Sequence, residues 1–274
     1  MPGLALADVA RLEELRQARG LAEVADEALP IAGGIAGRSA PGLSTNNSNA
    51  IGLDQPVTDA DIDRLCDWHE SRASEPRTEV APFAHPSVLE HLEARRFVLR
   101  FFEMVFFRGL DPGQPAAAPH PVPPGLLIRA VDPADAREVR EYSRVVMSGF
   151  FPPDQQPSED DYALSARVVA HPRTVCLAAW LDGALVAGGA MDVSGEVAGL
   201  FGLSVLPDQR RRGVQLALIA ARLNEAARRG ARVATIGTRP GIATERNARR
   251  MGFQLAYAKA VMCRPGPGLA RARG

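Results

Sequence analysis

The stretch 201–230, FGLSVLPDQRRRGVQLALIAARLNEAARRG, narrows the possible folds more than any other part of the chain. An apolar, strand-like run ends at Val205 and Pro207 closes it. Gly213 then opens a helix in which Leu216, Ile219, Leu223 and Ala226 recur at helical spacing, with Gly230 as its stop. Arg210, Arg211 and Arg212 crowd the start of that helix, where unpaired N–H groups already carry partial positive charge. An anion resolves the conflict: free amides, a glycine that permits close approach and flanking guanidinium groups make a site for a phosphate or pyrophosphate. A solvated basic turn before an ordinary amphipathic helix has the same spacing, so the pattern alone leaves both readings open.

A chain of 274 residues with 46% hydrophobic content suffices for two modest cores. Formal net charge is zero, which argues against non-specific binding to nucleic acid or to a membrane surface. No apolar run approaches the roughly 18 residues needed to span a bilayer. The N-terminus lacks a basic patch followed by an apolar core. Cys66, Cys176 and Cys263 are odd in number and far apart, so the chain is expected in a reducing, cytoplasmic setting without disulfides. Cys66 and His69 share a predicted surface helix with Asp67 and Glu70, and no metal is expected there. Among 32 basic residues, Lys259 is the only lysine.

In chain order, 4–19 reads as a helix, and strand-like stretches at 29–35 and 50–53 flank the polar run 44–49. Thr58 caps a helix over 59–72, with Asp61 completing a capping box. A strand at 78–83, a helix at 87–96 capped by Ser87, and an aromatic-rich strand at 97–107 follow. Prolines and small residues then disfavour regular structure over 112–125. Beyond them come a strand at 126–131, a helix opened by Asp132-Pro133 and broken at 149–153, and a helix from Ser158 to Ala170. Three strands at 175–181, 185–193 and 197–205 are joined by tight turns at Asp182-Gly183 and Ser194-Gly195. The helix of the opening paragraph, a strand at 233–237, a helix and a final strand complete the order.

The run Arg210-Arg211-Arg212-Gly213-Val214-Gln215, preceded by Leu203-Ser204-Val205 and Pro207, resembles the acetyl-CoA pyrophosphate loop of the GNAT acetyltransferase superfamily. TERNARRMGF at 244–253, followed by Tyr257, resembles the last helix and closing strands of that fold. The resemblance implies an α/β (α+β) protein of the bacterial tandem type, with two GNAT-like domains, each a mixed, mostly antiparallel sheet flanked by helices. Its implied boundaries are a degenerate N-terminal domain at 1–111, a linker at 112–125, an acetyl-CoA-binding domain at 126–265 and a flexible tail at 266–274. The activity implied is transfer of an acetyl group from acetyl-CoA to an amine of a small molecule or peptide, by a monomer or homodimer that uses no metal and binds neither nucleic acid nor membrane. A non-catalytic acyl-CoA-binding protein of the same fold is the alternative. The chain departs from the family at Gln215, where a small residue is usual, and at Ala248, where many members carry a tyrosine.

By the same resemblance, Leu203, Ser204, Val205, Arg210, Arg211, Arg212, Gly213, Val214, Gln215 and Asn247 are expected to bind the cofactor. Gly202 sits mid-strand, where a bulge would free backbone groups for the pantetheine arm; a packing glycine is the other reading. Tyr257 is the first candidate for the acid that protonates the leaving thiolate and Ser204 the second. Glu196, with Asp192 nearby, is the candidate base acting through water. Phe150 and Phe151 follow the helix whose loop borders the acceptor pocket in this superfamily.

Overall fold

In the computed structural model, which describes residues 5–152 and 154–273, the chain begins with α1 (Leu6–Val24). Leu4, Pro153 and Gly274, expected in the first helix, the 149–153 break and the tail, lie outside the described residues. Strands β1 (Glu27–Ile31) and β2 (Gly34–Arg38) form a hairpin that turns at Ala32 and Gly33, both with positive φ. Next come β3 (Asn47–Asn49), α2 (Asp59–Glu70), β4 (Arg77–Val80), α3 (Ser87–Ala94) and β5 (Val98–Gly109). The chain continues with β6 (Leu127–Ala130), α4 (Ala136–Met147), α5 (Glu159–Ala170), β7 (Thr174–Leu181), β8 (Ala184–Ser194) and β9 (Val197–Val205). It ends with α6 (Val214–Arg228), β10 (Val233–Thr238), α7 (Ala243–Arg250) and β11 (Gln254–Cys263). The result is a mixed α/β fold with mostly antiparallel sheets.

Two units account for these elements. The first holds residues 5–105, 238–240 and 255–273, and the second holds 106–237 and 241–254. The implied boundaries placed 238–240 and 255–265 with the second domain. They pack in the first unit because β11 pairs antiparallel with β4, from Ala260 opposite Val80 to Cys263 opposite Arg77. The 266–274 segment is not a free tail over its described residues: Ala270 N–H donates to Ala73 O at 2.7 Å, and Arg273 N–H to Gly42 O at 3.0 Å.

The first unit buries Ile31, Ile51, Ile62, Leu65, Val88, Leu92 and Phe97 between its hairpin, α2 and α3. Thr58 caps α2 through the expected capping box with Asp61. Ser87 does not cap α3; its hydroxyl accepts the Val57 N–H at 2.9 Å, and Pro86 holds the cap position. Cys66 and His69 lie on the buried face of α2, not on its surface. Burial pushes the Cys66 thiol up to about 11 and pulls the His69 imidazole down to about 4, so both stay neutral at pH 7. The largest departure concerns 44–53. The strand is the polar Asn47–Asn49, while 50–53 is a turn in which Ala50 and Gly52 have positive φ.

In the second unit, β6, β7, β8 and β9 are joined antiparallel in sequence order, and β10 runs parallel to β9. Successive strand residues face opposite sides of a sheet, and the pair Gly188-Gly189 in β8 uses this to admit a helix on each. A Cβ on Gly188 would stand 2.5 Å from the Tyr142 ring of α4, and one on Gly189 3.1 Å from the Arg222 guanidinium of α6. Helix α4 is capped by Asp135, whose carboxylate accepts from Arg137 and Glu138 N–H; Asp132 instead forms a turn by accepting from Ala134 N–H at 2.9 Å. The 112–125 segment is tied to α6. Ala116 N–H donates to Asn224 Oδ1 at 2.7 Å, and Asn224 Nδ2 donates to Ala116 O at 2.9 Å.

Candidate functional site

Strand β9 starts in register with β10 and then leaves it. The parallel ladder runs from Val197 opposite Val233 to Leu200 opposite Ile236 and ends there. On its other edge, Ala190 lies opposite Phe201 and Gly188 opposite Ser204, so Gly202 and Leu203 together face the single residue Gly189. That is a β-bulge, and Gly202 adopts φ +60, a backbone region that a side chain makes costly. A Cβ there would meet nothing closer than Val146 at 3.8 Å, so conformation rather than space demands the glycine. Beyond Leu200 the edge of β9 that faced β10 is therefore without a strand partner among the described residues.

Arg222 holds the bulge from beneath, and the sequence reading missed it. It lies on the apolar face of α6, fully buried. Its Nη1 donates to Ala190 O at 2.9 Å and Phe201 O at 3.3 Å, and its Nε donates to Leu218 O at 3.3 Å. Burial pulls its pKa down to about 10, still charged at neutral pH. The signal that was available is an arginine four residues after Leu218 and four before Ala226, within the apolar stripe.

At the head of α6, Gly213 adopts φ +82, Arg211 φ +63, and no side chain caps the helix. The first turn carries no acidic residue, so its N–H groups remain available to an anion. Arg210 Nε donates to Val205 O at 3.1 Å and Arg212 Nη1 to Gln209 Oε1 at 2.5 Å, which fixes the two arginines to the loop. Arg211 is exposed and makes no hydrogen bond among the described residues. Gly213 is constrained a second time by the Pro-rich segment, because a Cβ would stand 2.9 Å from Pro121 O. Gln215, the departure from the small-residue pattern, accepts from Asn247 Nδ2 at 2.8 Å, and Asn247 Oδ1 accepts from Arg250 Nη1 at 2.8 Å. These bonds tie the α6 head to α7.

Ser204 faces α4 and is buried, its unpartnered Oγ so close to Gly149 that a Cβ added to that glycine would lie 2.5 Å from it. The turn at 149–151 thus brings Phe150, 60% exposed, and the half-buried Phe151 to the bulge end of β9. The proposed acid and base fare differently. Glu196 sits at the start of β9, paired with Arg232 at 2.8 Å on the surface. At about 3.3 Å per residue it is roughly 20 Å of strand away from Leu203, too far to serve as a base there. Asp192, near the same end of the hairpin, is bound to Arg173 at 3.1 Å. Tyr257 belongs to the first unit, where its hydroxyl donates to Glu14 Oε1 at 2.6 Å. Burial and then the Glu14 charge raise its pKa far above the phenol range, so it is a poor proton donor.

Among the described residues, no group of three or more His, Cys, Asp or Glu side chains is arranged to hold a metal, and no helix is long and apolar enough to cross a membrane.

Residues 139–253 match the model of the acetyltransferase (GNAT) family. A GCN5-related N-acetyltransferase from Kribbella flavida aligns with 98% of this chain and 98% of its own length, at 18% identity and a TM-score of 0.68. A Drosophila protein aligns over 94% of this chain and 88% of its own, with 17% identity and a TM-score of 0.57. For a GCN5-related N-acetyltransferase from Sphaerobacter thermophilus the shares are 71% and 62%, with 19% identity and a TM-score of 0.53. At such identities the likeness is one of fold. No curated protein matches the chain.

Proposed function

We propose, from the match of residues 139–253 to the acetyltransferase (GNAT) family model, that the second unit binds acetyl-CoA and directs its acetyl group to an amine. The observation that carries this is the coincidence, on consecutive elements, of the bulge that parts β9 from β10 and an uncapped helix head flanked by a free arginine. The first-turn amides of α6 and the Arg211 guanidinium hold the pyrophosphate, by the charge complementarity of a helix N-terminus. Backbone groups of β9 beyond Leu200 receive the amide-bearing arm, and Arg222 keeps the bulge from closing. Bound acetyl-CoA supplies an acyl thioester, whose C–S bond breaks as the acceptor's nitrogen gains the acetyl group. Ser204 Oγ passes a proton toward that end of β9, a role supported by its being unpartnered at the bulge. Phe150 and Phe151 border the acceptor's approach.

Calorimetric titration with acetyl-CoA and with dephospho-CoA, for wild type and Arg211→Ala, tests the reading. Micromolar binding that weakens in the variant supports it; no binding by wild type sinks it. Two observations favour a second reading, a non-catalytic acyl-CoA binder: Glu196 stands at the wrong end of β9 and Tyr257 is committed to Glu14. Binding without thiol release in the presence of a panel of amines would select that reading.

A further inference from the structure

Residues 115–124, PAAAPHPVPP, hold five prolines, which have no N–H to offer a sheet and keep the chain extended. None of residues 111–125 is buried, so the segment lies on the surface of the second unit. It is held there at two points. Asn224, in the second half of α6, accepts from Ala116 N–H at 2.7 Å and donates to Ala116 O at 2.9 Å. Among the described residues, 115–125 make no other hydrogen bond to another element. The second point is the head of α6, where Pro121 O would stand 2.9 Å and Val122 Cα 3.9 Å from a Cβ on Gly213.

The two points are matched in length. From Gly213 to Asn224 the helix rises about 1.5 Å per residue, roughly 16 Å in all. From Pro121 back to Ala116 a polyproline-type chain gains about 3.1 Å per residue, again roughly 16 Å. The segment therefore runs antiparallel to α6 with no slack, and the grip of Asn224 sets where Pro121 sits. Beside that grip a hollow lined by Asp111, Gln114, Leu223 and Ala227 leaves the segment without packed side chains beneath it. At the other end, Pro121 O accepts no hydrogen bond among the described residues, so that contact rests on the attraction between a carbonyl oxygen and the positive pole of the helix.

Building on the acetyl-CoA reading of the second unit, we infer that residues 115–124 are a strap that competes with the cofactor's pyrophosphate for the head of α6, latched by Asn224 and lifted when acetyl-CoA binds. A phosphate bonded to the first-turn amides brings full negative charge beside Gly213, the residue that Pro121 O already crowds. Two oxygen acceptors without a donor between them repel. The anion, with charge-assisted bonds to the amides, is the stronger ligand of the two. In the free protein the strap shields the helix head, and the apparent affinity is the intrinsic one multiplied by the fraction of molecules with the strap raised.

The test is calorimetric titration of the full-length protein with acetyl-CoA, on wild type, on Asn224→Ala and on a two-glycine insertion after Ala118, which keeps the latch and slackens the strap. Both changes should lower the Kd, Asn224→Ala by about tenfold for the loss of two neutral hydrogen bonds. In wild type, saturating acetyl-CoA should speed hydrogen exchange at the Ala116 amide, whose bond to Asn224 opens. Melting curves establish that each variant folds; should Asn224→Ala not fold, the insertion and the exchange decide. A Kd unchanged or raised in the folded variants, or slower exchange at Ala116 with acetyl-CoA bound, as a lid closing over the cofactor would give, overturns the strap. Failure of wild type and both variants to bind acetyl-CoA overturns the cofactor reading and the strap with it, whereas equal micromolar binding by all three removes the strap alone.

Discussion

The two units treat polar groups in opposite ways. In the second, the candidate site is made of backbone: a strand edge without a partner beyond Leu200, the amides at the head of α6, and an exposed guanidinium at Arg211. In the first, polar side chains are instead sunk in the interior, around a lysine with no solvent exposure. A backbone site costs little stability, because its unpaired groups are open to solvent until a ligand arrives. A buried side-chain cluster places charge in a low-dielectric interior, where each group depends on the others. The difference predicts that substitutions in the first unit act on folding and those in the second on binding.

Lys259→Met is the most severe way to break that contrast. It strips the cation from Glu79 and Glu14, and an uncompensated buried charge costs about 3–5 kcal/mol. A denaturant titration should show that loss; a change under 1 kcal/mol would mean the cluster is wetter than its burial implies. On the other side, Gly213→Glu should cost about 1–2 kcal/mol of stability, because Gly213 has positive φ and a Cβ would crowd Pro121 O, and should weaken acetyl-CoA binding roughly hundredfold, since charge-assisted hydrogen bonds are worth about 1.5–3 kcal/mol each. Retained affinity would remove the α6 head from the site. Gly202→Val comes next. Forcing a β-branched residue into positive φ costs about 1–2 kcal/mol, and relief of that strain by closing the bulge should raise the Kd for acetyl-CoA with a smaller loss of melting temperature.

Tyr257→Phe should cost about 1 kcal/mol through the lost bond to Glu14. It should leave turnover unchanged, and a large fall in rate with unaltered binding would return Tyr257 to the chemistry. The mildest effect depends on pH. Burial, reinforced by the Glu79 charge, pushes Glu103 up to about 7 from an ordinary value of 4.5, with Glu14 acting in the same sense and Lys259 and Arg77 opposing. The folded state therefore holds a proton that the unfolded chain has released, and stability from this group declines as pH rises from about 4.5 to about 7. Glu103→Gln should then melt higher than wild type at pH 8 and alike at pH 4, as parallel thermal melts would show.

What the sequence determined was local. The hairpin at Asp182-Gly183, the capping box at Thr58, the α6 stripe and the glycines at 202 and 213 are each set by stereochemistry or periodicity within a few residues, whereas the single strand read over 29–35 is a hairpin that turns at Ala32 and Gly33. The glycine turn into α6 was legible for the same reason, whereas reading it as a cofactor loop rests on the family resemblance. Tertiary structure alone decided the rest. Asn47–Asn49 reads as a loop because nothing nearby satisfies three polar residues; their partners, Glu79, the Arg77 carbonyl and Gln17, arrive from other elements. Tyr257 meets Glu14 across 243 residues of sequence, and Glu196 is separated from the bulge only once β9 is extended. Turn and helix signals are short-range, whereas the burial of a charge depends on which distant groups the fold brings to meet it.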